Sequence, residues 1–253
     1  MTRVYKDKFY VEVEWTVGPI PVDHGREIIT RYETSLVSNG TFYTDSNGRQ
    51  TMKRVLNQQP TWKVNVTEPV AGNYYPVNTR AALVDQARGM QLSVLTDRAQ
   101  GAASLSDGQL EFMVHRRLQA DDHRGVAEAL NETADGRGLI ARGKHWLFYS
   151  DIISEHLHRS LAQDLFYRPV LAIAVDDEPA VPQWSFMGSK IADQFLNLVT
   201  VQAESQSSIL VRLESVLPAS EGGKANLQVD LSKLFVGKVM DKFEVRILEQ
   251  FEL

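Results

Sequence analysis

The chain contains no cysteine, so it can hold neither a disulfide nor a thiolate metal site. Taken alone, that absence leans toward a reducing compartment. No apolar run approaches the roughly 18 residues that crossing a bilayer requires, and no segment has the order of a signal peptide. A basic excess is missing as well. The net charge is −5 with both signs scattered, whereas a nucleic-acid partner calls for a basic stripe. There is no internal repeat, no low-complexity tract and little helical periodicity. What remains is 253 residues with 43% hydrophobic content, enough to bury roughly three-quarters of the unfolded surface. That suits one large β-domain or two smaller ones sharing an interface.

Alternation of apolar and polar residues dominates what is present. Phe9, Val11, Val13 and Trp15 are expected on one face of a first strand, with Tyr10, Glu12 and Glu14 on the other. Gly18-Pro19 and Pro21 stop it. Further strands are expected near residues 27–36, 78–84, 91–96, 109–115 and 139–148, then 170–175, 196–201, 208–213 and 243–248. Ser46-Asn47-Gly48 reads as a turn, with Asp45 and Arg49 bracing it. Residues 54–73, punctuated by Pro60 and Pro69, are expected to wrap a sheet edge. Ser154–Leu165 is the one convincing helix, with Ser154 as N-cap and Leu157, Leu161 and Leu165 spaced by four. Residues 220–224 read as a loop and 230–235 as a single helical turn. Many short strands between turn signals with one short helix predict an all-β fold, a large antiparallel β-sandwich. A seam near Pro179–Pro182 divides it into residues 1–180 and a smaller β-subdomain, 181–253.

The segment Thr96–Gly125 concentrates the chemistry. Asp107-Gly108 predicts a tight type I′ hairpin turn, in which both central residues need positive φ. In the strand after it, Leu110, Phe112 and Val114 form the apolar face, while Glu111, Met113, His115 and Arg117 point the other way. That strand ends in Arg116, Arg117, Asp121, Asp122 and Arg124, delivering five charges to one rim. Asp121 and Asp122 are too close in sequence to face each other across a sugar, since retaining glycosidases hold their two carboxyls about 5–5.5 Å apart. The expected role is to anchor Arg116, Arg117 or Arg124 through charge-assisted bonds.

Other candidates have simpler readings. His156 and His158 sit two apart on the helix, so they point to nearly opposite sides and cannot chelate a metal together. His115 and His123, beside arginines, read as surface residues. Trp15, Tyr74, Tyr75 and Trp146 read as core or edge packing, although an exposed aromatic also serves as a sugar platform. Three tripeptides fit the N-glycosylation acceptor pattern, at Asn39, Asn65 and Asn131. Asn65, in a loop rich in Pro, Asn and Gly, is the leading acceptor.

Four ordered blocks carry a family resemblance: EWTVGPIPV at Glu14–Val22, FYTDSNGR at Phe42–Arg49, PTW…NVTEPVAGNYYPVNTR from Pro60 to Arg80, and Thr96–Gly125. Together they resemble the carboxy-terminal β-region of the class II α-mannosidases, glycoside hydrolase family 38, and its lysosomal branch in particular. The likeness runs from Val11 to Gly125 and continues more loosely through residues 230–251. It implies a supersandwich of the galactose-mutarotase kind, and a chain that is part of a longer one. Such enzymes are retaining α-mannosidases that use an aspartate nucleophile and a zinc ion gripping the mannose hydroxyls of N-glycan oligosaccharides. The resemblance places nucleophile, acid/base and zinc ligands in an amino-terminal α/β domain followed by a helical bundle. No catalytic residue, metal or cofactor is therefore expected in this chain, and that domain and bundle are its expected partners. In the family's Asp-Asp-x-Arg-Gly motif the arginine lines the active site. It matches Arg124, with Asp121, Asp122 and Gly125 in register and His123 at the variable position. Lysosomal or secretory placement also comes from the resemblance, against the lean given by the missing cysteines. The leading reading is a non-catalytic β-sandwich portion lending Arg124 to the pocket. The alternative is a stand-alone carbohydrate-binding or structural interaction module.

Overall fold

The computed structural model describes residues 1–125, 127–152, 155–166, 171, 173, 196–205, 208–216 and 230. The chain divides into two compact units, Met1–Pro169 and Val170–Leu253. The seam expected at Pro179–Pro182 lies outside the described residues. So do the Ser154 cap, the strands expected at 243–248 and over most of 170–175, and nearly all of the turn at 230–235.

The first unit is built of antiparallel strands: β1 (Thr2–Val4), β2 (Val11–Val17), β3 (Arg26–Glu33), β4 (Thr41–Ser46), β5 (Gln50–Val55), β6 (Tyr75–Val77), β7 (Arg80–Asp85), β8 (Met90–Thr96), β9 (Gln100–Ala103), β10 (Gln109–Arg117), β11 (Thr133–Ala134), β12 (Arg137–Gly138) and β13 (Ala141–Asp151). One α-helix, α1, spans Glu155–Phe166. Seven strands form a large sheet in the order β1-β2-β13-β8-β7-β4-β5, and four form a smaller one, β3-β10-β9-β6. In the second unit β14 (Leu196–Ala203) pairs with β15 (Ile209–Ser215).

The core lies between the two sheets. Leu83, Leu92 and Val94 of the large sheet pack with Val77, Ala102, Leu110 and Phe112 of the small one, joined by Leu36 and Phe42. A second cluster joins Leu95, Trp146 and Phe148 to Ala162, Leu161 and Leu165 of α1. The large sheet is thus covered on both faces near β8 and β13. This is why Leu92 and Val94 turn inward while Leu95, on the other parity, is equally buried.

That double cover corrects the reading of β2. Glu12, expected on the polar face with Tyr10 and Glu14, is 6% exposed, whereas Phe9, expected on the apolar face with Val11, Val13 and Trp15, is 58% exposed. Glu12 lies on the parity that faces Trp146, and it accepts a hydrogen bond from the Trp146 indole at 3.1 Å. Lys144 and Arg3 reach the same carboxylate, at 3.1 Å and 2.6 Å. Burial pushes the Glu12 carboxyl up, but hydrogen bonds from Lys144, Arg3 and Trp146 outweigh it and hold it below its ordinary value.

The hairpin turn is also different from the one expected. Five residues separate Ala103 of β9 from Gln109 of β10, and only Gly108 is left-handed, at φ 73°. Asp107 instead uses its carboxylate, which accepts from the Ser38 hydroxyl (3.1 Å) and the Gly40 backbone N–H (2.8 Å). Consecutive positive φ values occur instead at Asn39-Gly40, at Asn47-Gly48 (53° and 68°), in the turn joining β4 to β5, and at Asp135-Gly136, between β11 and β12. Asp45 braces that turn through backbone N–H groups of Gly48, Asn78, Thr79 and Arg80, all at 2.8–2.9 Å.

Candidate functional site

The charged rim is shaped by how β10 ends. Its pairing with β3 shifts register between Met113 and His115, so Val114 is taken out of the apolar face it was expected to complete. Beyond the bulge Arg117 turns inward and is 7% exposed. Its guanidinium donates to the backbone carbonyls of Asn131 (2.8 Å) and Glu132 (3.1 Å). The next residue, Leu118, donates its N–H to the Leu130 carbonyl at 2.9 Å. These bonds tie both ends of residues 118–130 together at the base, making a closed loop that carries the Asp-Asp-x-Arg-Gly motif.

Within the loop the two aspartates brace backbone and not arginine. Asp121 accepts from the His123 N–H at 2.7 Å, and Asp122 accepts from the Arg124 N–H at 3.0 Å. Two such turns in succession fix the approach to Arg124, with His123 held left-handed at φ 60°. A short aspartate side chain bonding two residues on is what makes this cheap. Arg124 itself is exposed, and its guanidinium bonds no described residue. Arg116 is exposed too, opposite Glu27 in the register with β3. Of five charges expected on one rim, Arg117 is therefore an internal tie, Asp121 and Asp122 are turn formers, and Arg116 and Arg124 remain on display.

Apolar side chains stand around this loop. Val22 (57%), Ile140 (47%), Leu139 (40%) and Leu118 (36%) are all exposed. Gln119 pins the Val22 carbonyl at 2.7 Å, and the His115 ring contacts the Leu139 carbonyl at 3.0 Å. Exposed aliphatic groups at the base of the loop, with an exposed cation on the loop itself that bonds no described residue, make a surface suited to being covered.

The remaining candidates fall elsewhere. His158 is buried, one ring nitrogen meeting Arg80 and the other meeting Gln91 at 3.1 Å. The side chain of His156 lies outside the described residues. Among the described residues no three His, Asp or Glu side chains converge as metal ligands. Trp146, Trp15 and Tyr75 are core residues, and the Tyr74 hydroxyl donates to the buried Glu111, which also pairs with Arg31 at 2.8 Å. Burial first, then the bond to Glu111, pushes the Tyr74 hydroxyl up. Asn39, Asn65 and Asn131 are all exposed.

Sequence reasoning missed two features. One is Glu12, for which a glutamate between valines gave no signal of burial. The other is a cleft under Asn65, formed by Asn57, Gln58, Gln59 and Asn73. Its signal was the density of carboxamide residues between Asn57 and Asn73.

Residues 1–124 match the description "Glycosyl hydrolases family 38 C-terminal domain". The chain is 44% identical to the lysosomal alpha-mannosidase of Cavia porcellus over 252 residues, covering 93% of this chain and 24% of that protein. It is 42% identical to the lysosomal alpha-mannosidase of Homo sapiens over 241 residues, 92% of this chain and 23% of that protein. With an alpha-mannosidase of Canavalia ensiformis the identity is 35% over 262 residues, 96% of this chain and 26% of that protein. The chain spans about a quarter of the length of these relatives. Residues 1–124 carry the C-terminal domain of glycosyl hydrolase family 38.

Proposed function

We propose that this chain is the supporting β-portion of a lysosomal-type, retaining α-mannosidase that removes terminal α-D-mannose from N-glycan oligosaccharides, and that it lends Arg124 to the sugar-binding pocket. The observation that carries the reading is the loop 118–130. It is tied at its base by Arg117, braced inside by Asp121 and Asp122, and displays the exposed guanidinium of Arg124, which bonds no described residue.

The catalytic carboxylates belong to the remainder of the enzyme. So does zinc, which when bound supplies a Lewis-acid grip on sugar hydroxyls. Arg124 contributes what those groups lack. A guanidinium stays charged at every working pH and presents donors in a rigid fork, which suits vicinal sugar hydroxyls or the orientation of a carboxylate. Val22, Leu118, Leu139 and Ile140 then supply the apolar contact that seats the loop against the catalytic part and excludes water around the guanidinium. Water exclusion strengthens each of its hydrogen bonds.

The division of labour is tested by assaying the purified chain alone on an aryl α-mannoside with added zinc. No turnover is expected. Hydrolysis that scales with the chain and vanishes on chelation would overturn the supporting role.

A further inference from the structure

We propose that the carboxamide-lined cleft beside Asn65 is a carbohydrate-binding site whose occupant is the first sugars of a glycan carried on Asn65 itself. The inference rests on passage through the secretory pathway, part of the reading above, and is otherwise independent of Arg124.

Two adjoining hollows form the cleft. The first is bordered by Asn57, Gln58, Gln59, Asn65, Glu68 and Asn73. The second, of about 230 Å³, shares Gln58 and Gln59 and continues along Lys53, Arg54, Pro60 and Tyr75. Its floor is fixed before any ligand arrives. Asn73 is 2% exposed, and its amide nitrogen donates to the side-chain oxygen of Asn57 and to the backbone carbonyl of Pro69, each at 2.8 Å. Its own side-chain oxygen accepts the Asn57 N–H at 2.8 Å. Gln59 donates to the Tyr75 hydroxyl at 2.9 Å, and the Arg54 guanidinium lies 4.5 Å over the Tyr75 ring. A floor held this way loses little freedom on binding.

The rim is unspent. The side chains of Gln58, Asn65 and Glu68 make no hydrogen bond to any described residue, and Gln58 offers two donors and an acceptor. The segment that leads in sequence from Pro60, on the second hollow, to Val64 and Asn65, on the first, carries Trp62, which is 61% exposed and lines neither hollow. A pyranose seated on the cleft amides through its hydroxyls and extending along this segment would meet the exposed indole with a C–H face, the stacking that an aromatic ring offers a sugar. Asn65 lies on the cleft border and begins Asn65-Val66-Thr67, the acceptor tripeptide. A glycan joined there starts inside the cleft. A shallow cleft of this kind binds free sugar weakly, but a short tether supplies an effective concentration in the mM range. At that effective concentration a tenfold protection corresponds to an intrinsic affinity of about 0.1 mM.

The test uses this chain secreted from a eukaryotic host, with occupancy of Asn39, Asn65 and Asn131 mapped by mass spectrometry. Enzymatic release of the Asn65 glycan is then timed on folded and denatured protein. Release from the folded chain is expected to be about tenfold slower, with Trp62→Ala and Gln58→Ala each restoring most of the rate. Removing the glycan should also shift the tryptophan emission of the folded chain, a change lost in Trp62→Ala. Equal release rates, slow release that neither variant relieves, or an Asn65 left bare beside occupied Asn39 or Asn131 would each overturn the proposal. None of these results touches Arg124, and loss of the Arg124 reading would leave them unchanged.

Discussion

His145 gives the fold a pH dependence whose sign and size follow from its surroundings. The ring is fully buried between the sheets, with Tyr32 at 2.8 Å on Nδ1 and Gln100 at 2.8 Å on Nε2. Gln100 gives its amide to the Met113 carbonyl at 2.9 Å, so its oxygen faces the ring and takes the Nε2 proton. The Tyr32 hydroxyl then donates to Nδ1, and the neutral imidazole is satisfied on both sides. Phe112 and Trp15 flank it, with ring centres 4.9 Å and 6.0 Å away. A second proton would charge a dry site and oblige the Tyr32 hydroxyl to turn from donor to acceptor. Burial accordingly pushes the His145 pKa down from 6.5 to about 4, only partly countered by Asp97. Because the folded value is lowered, the unfolded chain takes up this proton first as the pH falls. The stability contributed is whole above about pH 6.5 and is lost on the way to about pH 4, a total of about 3 kcal/mol. Between pH 7 and pH 5 the loss is about 2 kcal/mol. Urea unfolding followed by tryptophan fluorescence at those two pH values, for the native chain and for His145→Gln, isolates the term, because all other titrating groups are common to both. The native chain should lose about 2 kcal/mol more than the variant between pH 7 and pH 5. Equal losses would refute the assignment of a buried neutral imidazole.

Two stability predictions follow from close contacts elsewhere. A methyl group at Gly108 would stand 2.4 Å from the Thr34 carbonyl oxygen at φ 73°, so Gly108→Ala should cost more than the roughly 1 kcal/mol of an ordinary glycine replacement. A midpoint in urea equal to that of the native chain would contradict it. Glu12→Ala should cost about 2 kcal/mol, mainly because the buried Trp146 indole N–H loses its acceptor. Glu12→Gln keeps an acceptor there and should lose less than half as much in the same urea titration; equal losses would show that the charge, not the indole bond, carries the effect.

Much of the scaffold was legible because its signals are local. The apolar parity of Leu110 and Phe112, the strand around 91–96 and the leucine spacing of α1 each reappear within a few residues of the expected bounds. What escaped depends on contacts distant in sequence. Glu12 reads as a solvent residue until Trp146, 134 positions away, is placed opposite it. Arg117 reads as a rim charge until the bulge at Val114 turns it toward the carbonyls of Asn131 and Glu132. Asp107 has the dipeptide of a tight hairpin, yet its carboxylate is claimed by Ser38 and Gly40 on another loop. At the candidate site the motif itself was legible from the resemblance. The role of its two aspartates as backbone braces was not, since aspartates beside arginines suggest ion pairs until the turn geometry is known.

Kinetics of the intact enzyme containing this chain, with Arg124→Ala beside the native protein, bear most directly on the central claim. The exposed guanidinium bonds no described residue, so the melting temperature should stay the same. Activity on an α-mannoside should fall about 10- to 1,000-fold, as expected when one or two preorganised charged hydrogen bonds are removed. Arg124→Lys should recover only part of the loss, because it restores the charge without the fork. Full activity in Arg124→Ala, or a loss explained by unfolding, would contradict the account.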